Sequence, residues 1–168
     1  MNDRSPAPGG LELVEALVNT LDLESGRDAL DTPEGRAPFG IAERDLADVA
    51  VLRESLRAAC LAHAGHPPHR AVTPLGVLLA RAPLYVAVDE RDGSARLAPV
   101  DAGPLLSRVA AAVAEAVTAG TWLRLKACEL PRCHWAYYDR SPAGRGRWCS
   151  MQVCGARAKM RRYRAKGA

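Results

Sequence analysis

No stretch of this 168-residue chain approaches the roughly 18 uninterrupted apolar residues of a membrane-spanning helix, which excludes an α-helical membrane protein. Residues 1–10 lack the basic segment followed by an apolar one that secretion requires, so the chain is expected in the cytoplasm. No Gly-rich phosphate loop and no nucleophile–base pair is present, and no internal repeat, which argues against an enzyme. Lysine is scarce, three against twenty arginines, which signals a compositional bias through the whole chain. Acids are scarce at one end only. Residues 121–168 carry twelve Lys or Arg against Glu129 and Asp139, a charge of +10, whereas the first 120 residues carry eleven against seventeen, a charge of −6. Arginine bias does not account for that asymmetry, and the C-terminal excess favours polyanions.

What is present is a quartet of cysteines: Cys128 and Cys133, then Cys149 and Cys154. In the reducing cytoplasm, paired cysteines read as metal ligands before they read as disulfides. Each pair can place two sulfurs about 2.3 Å from one ion, which suits tetrahedral zinc with all positions filled by protein. His134 is an alternative fourth ligand, which the complete quartet makes unnecessary. One structural zinc ion does no chemistry itself, so function should lie in what it presents. With four thiolates and the ion included, the C-terminal segment still carries about +8.

With 48% apolar residues the chain can build one substantial core plus a small metal-stapled unit, and two lobes are expected. Residues 1–10, polar and rich in Pro and Gly, read as disordered. Leu11, Val14, Leu17, Val18 and Leu21 recur at helical spacing. Residues 22–40 read as loop, with a brief helix capped by Thr32 and opened by Pro33. The pattern Leu46, Val49, Leu52, Leu56, Ala59, Cys60, His63 marks a long amphipathic helix ended by Gly65 and Pro67-Pro68. A shorter helix follows Pro74. Residues 84–89 and 95–100 flank Asp92-Gly93 and predict a hairpin. Leu105, Leu106, Val109, Val113 and Val117 mark a helix over 104–119, with Gly120 as its cap. His63, His66 and His69 read as solvated helix-end residues, Cys60 as a core residue, and Asn19, Asp22 and Arg27 as caps or pocket lining.

In the C-terminal segment, Leu130-Pro131 suits a knuckle between the first two cysteines. Residues 134–140 read as a strand, 141–146 as a turn, and Arg147-Trp148 as the return to Cys149. Ser150 can cap a helix that starts at Met151, whose free amides and dipole favour the Cys154 thiolate. Knuckle, hairpin and ligands at a helix start make a treble-clef-like order. On the helix, Val153, Ala156, Met160 and Tyr163 form one stripe, expected to pack on the hairpin. Arg157, Arg161 and Arg164 form an adjoining stripe, widened by Lys159, Arg162 and Lys166, and these six are the candidate DNA-binding residues. The planar fork of arginine can hold two phosphate oxygens or the edge of guanine. The fold class is therefore mainly α with small β-hairpins: a helical N-terminal lobe, then a treble-clef-like finger ending in a basic helix.

The runs Trp148-Cys149-Ser150-Met151 and Cys154-Gly155-Ala156-Arg157-Ala158-Lys159, with Arg161-Arg162-Tyr163, resemble the CGNR zinc finger. Arg124 to Cys128 and Tyr138-Asp139-Arg140-Ser141 fit the same pattern, so the resemblance covers roughly residues 121–166 of the segment 121–168. Leu17-Val18-Asn19-Thr20, Asp31-Thr32-Pro33-Glu34 and residues 52–57 resemble the ABATE domain that precedes this finger, giving a division at 11–120 and 121–168. The resemblance implies a stress-induced transcription regulator whose finger binds DNA. One departure is Ala156, where the signature has Asn; its place on the expected packed stripe implies a lost structural hydrogen bond. The helical lobe is left with binding a small-molecule effector or forming a homodimer. A zinc-stabilised protein adaptor that binds no nucleic acid is the alternative.

Overall fold

The computed structural model describes residues 5–166. In chain order the elements are α1 (Leu11–Val18), α2 (Pro33–Arg36), α3 (Leu46–His63), α4 (Leu75–Leu79), strands β1 (Leu84–Val88) and β2 (Ala95–Pro99), α5 (Leu105–Thr118), strands β3 (Leu125–Ala127) and β4 (Ala136–Tyr138), and α6 (Ala156–Lys166). Each expected helix forms, and the local chemistry explains the ends. Thr32 Oγ1 accepts from Gly35 N at 3.2 Å, which caps α2 with Pro33 at its first position. Gly35 is obligatory, because a Cβ there would lie 1.8 Å from the Ala29 carbonyl oxygen. After α5 the chain reverses through Gly120 at φ 66°, and Thr121 N reaches back to Ala116 O at 2.8 Å.

α1 buries Leu11, Val14, Leu17 and Val18 against α3 and α5. On α5 the buried side is Val109, Ala112 and Ala116, while Val117 is exposed, unlike the expected stripe. The reason is close approach: a Cβ on Gly10 would fall 2.7 Å from Ala112 Cβ, so only small side chains fit where the chain enters α1.

Residues 5–10 depart from the expected disorder, while residues 1–4 lie outside the described range. Ala7 is buried and its N–H donates to the Glu15 carboxylate at 2.6 Å. Arg140 of the C-terminal segment donates to the Ser5 and Pro6 carbonyls at 2.9 and 2.6 Å.

The two lobes share a core. Leu125, Ala127 and Ala136 are fully buried in the cluster that holds Leu17, Leu56 and Val109. β4 pairs antiparallel with β3, Leu125 opposite Tyr138 and Ala127 opposite Ala136, so the hairpin spans the knuckle rather than closing across residues 141–146 as expected. The Asp139 carboxylate decides this. Fully buried, it accepts from Ser141 N at 3.1 Å, Gly146 N at 2.7 Å and Lys126 Nζ at 3.0 Å, gathering residues 141–146 into a loop around itself. Gly146 must lack a side chain, since a Cβ would stand 2.8 Å from Asp139 Oδ1.

Candidate functional site

Three short segments bring the cysteines together. Cys128 follows β3 directly, and its N–H donates to Trp135 O at 3.0 Å. Cys133 closes the knuckle turn, donating to Leu130 O at 2.9 Å. Cys149 precedes and Cys154 lies within a wide first turn, Met151–Gly155, which Ser150 caps by accepting from Val153 N at 3.3 Å. Trp135 and Trp148 pack against the sulfurs with Leu130, Tyr137 and Ala158.

The four sulfurs lie within 4.8 Å of one another. Cys133 to Cys149 is 3.7 Å, Cys149 to Cys154 is 3.6 Å, and Cys154 to Cys133 is 3.7 Å. A tetrahedron with zinc–sulfur bonds of about 2.3 Å has edges of about 3.8 Å, so the three measured edges match it and the set suits one structural zinc ion. All four are free thiols, and the disulfide alternative is not formed. His134 is not part of the set: its Nδ1 lies 3.0 Å from Cys128 O, with the backbone at φ 45°. The thiols ionise as a unit. Hydrogen bonds from Cys133 and then Cys149 hold Cys128 down to about 2, and the Cys128 bond pushes Cys133 up to about 12. Cys149 is raised by its hydrogen bonds with Cys128 and then Cys133, and Cys154 by burial and then by the charge at Cys128. When bound, zinc cross-links these segments and leaves no position for water.

Only Cys154, Gly155 and Ala158 of the final helical segment are buried. Val153, Met160 and Tyr163 are exposed, Tyr163 to 77%, so the stripe expected to pack on the hairpin faces outward. Ala156 lies on that exposed side, which removes the basis for assigning the missing Asn a buried hydrogen bond. The face that packs is small where Trp148 comes close to the backbone; a Cβ on Gly155 would lie 3.5 Å from Trp148 Cε3 and 3.2 Å from Met151 Sδ. Arg157, Lys159, Arg161, Arg162, Arg164 and Lys166 are all exposed. Arg157 reaches Glu24 of the helical lobe at 2.8 Å, an exposed pair that salt screens. Between α6 and the knuckle runs a groove of about 650 Å³, with Leu130, Val153 and Met160 as apolar lining and Arg132, Arg161 and Arg164 at its rim.

A second polar constellation escaped sequence reasoning. Arg57, fully buried, donates to Val18 O at 2.8 Å and His134 O at 2.9 Å, and to the Glu54 carboxylate at 3.1 Å. Glu54 also accepts from Arg53 at 3.0 Å and lies 3.1 Å from His69 Nε2; burial opposes its ionisation, but Arg57 and Arg53 hold its carboxyl below the usual range. Asn19 pairs with both backbone groups of Ala136, at 2.9 and 2.7 Å. His63 bonds Leu125 O through Nδ1 at 2.7 Å, and burial lowers its pKa. His63 and His69 are therefore not solvated helix-end residues, and Asn19, which caps the C-terminus of α1 as one of the two expectations had it, joins them in tying the helical lobe to β3, β4 and the knuckle. The available signal was Arg53, Glu54 and Arg57 lying within the apolar pattern of α3.

A helical domain carrying a four-thiol finger that ends in an exposed basic helix has the arrangement of a zinc-finger protein. The chain belongs to the ABATE family, described as "Putative stress-induced transcription regulator", whose model matches residues 11–120; the CGNR zinc finger matches residues 124–167. No curated protein is similar enough to count as a match. Among the described residues no helix is long and apolar enough to cross a membrane.

Proposed function

We propose that this chain is a non-catalytic, cytoplasmic DNA-binding regulator of transcription, in which Cys128, Cys133, Cys149 and Cys154 ligate one zinc ion and so present α6 to the DNA backbone. The observation that carries this reading is the isolation of the helix end: from Lys159 to Lys166 every residue is exposed, five of the eight are cationic and none is acidic. Such a segment repels itself and has no intrahelical salt bridges to offset the repulsion. Phosphates relieve it. If about four phosphates are neutralised, log affinity for duplex DNA falls with log salt at a slope of about −3.6. Replacing Arg157, Arg161 and Arg164 together by Ala should remove most of that slope in a fluorescence-anisotropy titration. Unchanged binding at low salt would rule out α6 as the contact surface.

The adaptor reading has its own observation, the exposed apolar residues Val153, Met160 and Tyr163 beside the arginines. Capture of an acidic protein that survives nuclease treatment would favour it, whereas loss of capture favours DNA.

A further inference from the structure

The outer edge of β1 has the properties of a self-pairing surface. Asp89 N donates to Ser94 O at 2.8 Å and Val100 N to Pro83 O at 3.2 Å, with Leu84 opposite Pro99 and Val86 opposite Leu97. In an antiparallel ladder this parity turns the backbone groups of Pro83, Tyr85, Ala87 and Asp89 towards β2, and those of Leu84, Val86 and Val88 away from it. Among the described residues nothing bonds those outward groups. β2 packs on α5, so β1 is the free side of a two-stranded sheet, an arrangement that is marginal by itself. The strand Leu84-Tyr85-Val86-Ala87-Val88 contains no charge, proline or glycine, the residues that ordinarily protect an edge. Tyr85, Val86 and Val88 are exposed to 51%, 63% and 61%, and Leu97 and Val100 of the same hairpin are exposed as well.

We infer that β1 pairs antiparallel with β1 of a second copy of this chain, giving a four-stranded sheet in the order β2-β1-β1-β2 about a two-fold axis through Val86. Parity pairs outward-facing residues with one another, and of the registers it allows the one centred on Val86 engages all three. Only groups on Leu84, Val86 and Val88 point outward, so Val86 meets itself in a hydrogen-bonded pair and Leu84 meets Val88 of the second copy. The same register brings Arg81 of one copy to the strand end that carries Glu90 of the other. Both side chains are exposed and neither has an ion-pair partner among the described residues, while Arg91 is already held by Asp89 at 2.8 Å. The exposed Val86 and Val88 side chains then become neighbours across the new ladder.

The test measures assembly without DNA, so it stands or falls apart from the nucleic-acid reading. Sedimentation velocity of the zinc-loaded full chain over a concentration series should show a monomer–dimer equilibrium. Val86→Lys, which places like charges against each other on the axis, should shift it to monomer with an unchanged circular dichroism spectrum and a melting temperature that no longer rises with protein concentration. Disulfide trapping gives a second route that does not depend on tolerance of a lysine. Val86→Cys places two thiols at a pair whose Cα separation is about 5.5 Å, within the roughly 4.4–6.8 Å that a disulfide bridges. It should cross-link rapidly under mild oxidation. Val88→Cys alone should not, its two copies being about 13 Å apart along the strands, whereas a mixture of Leu84→Cys and Val88→Cys chains should. A wild-type chain that stays monomeric throughout, a dimer that survives Val86→Lys, or cross-linking of Val88→Cys as fast as Val86→Cys would each overturn the proposal.

Discussion

Asp139 shows how a single side chain sets the shape of the finger. Burial raises the pKa of its carboxyl, but bonds from Ser141, Gly146 and Lys126 more than offset this and bring it from 3.8 to about 2. Because the folded value is depressed, the stabilisation is complete above about pH 4 and is lost as pH falls towards 2. A shift of that size corresponds to about 2 kcal/mol. Asp139→Asn should flatten the acid limb of a stability–pH curve obtained from urea unfolding between pH 2 and 5. Arg57 is the second such residue. Arg57→Ala leaves Glu54 less compensated and the carbonyls of Val18 and His134 without their donor, so a loss of about 3–5 kcal/mol is expected from the same unfolding experiment. Neither role was legible in the sequence. The partners of Arg57 are largely backbone carbonyls of distant segments, and a carbonyl carries no residue signature. The cysteines were legible because a closed thiolate set depends on side-chain identity and spacing alone.

At the scale of elements, helices defined by apolar periodicity and capping residues were readable to within a few residues, as α3 and α5 show. The strand partner of β4 was not, since three-residue strands have too little periodicity to favour one neighbour over another and a buried carboxylate made the choice. α6 was misread for a related reason. Its stripe of Val153, Met160 and Tyr163 has helical spacing, yet α6 meets the sulfurs and tryptophans of the finger through the small side chain of Ala158 and leaves that stripe exposed. An 11-residue helix with little tertiary cover is marginal in water. Its C-terminal turns should therefore gain helicity when phosphates neutralise it. The far-ultraviolet circular dichroism of the chain at low salt should deepen at 222 nm on addition of duplex DNA, and the triple arginine-to-alanine variant should not show the deepening.

For the whole molecule, the metal centre is coupled to the helical core. β3 and β4 lie between the two, packed against α3 and α1 and bonded to His63 and Asn19, while Arg57 donates to His134 O in the adjoining knuckle. Chelation should accordingly lower the melting temperature of the entire chain in one calorimetric transition. Two separated transitions, with the upper one unmoved by chelator, would show that the lobes unfold independently. Acid should also promote zinc release, because the thiols must lose protons to bind, Cys133 from a value raised to about 12.

The shared core bears on how this finger can be transplanted. Cut out at residue 121 and fused to another protein, it would carry away Leu125, Ala127 and Ala136 with no α1 or α3 to cover them, and the backbone of Ala136 with no Asn19 to satisfy it. The excised segment would remain able to bind zinc through its sulfurs while exposing an adhesive strand face. A useful graft has to include the host surface that matches it.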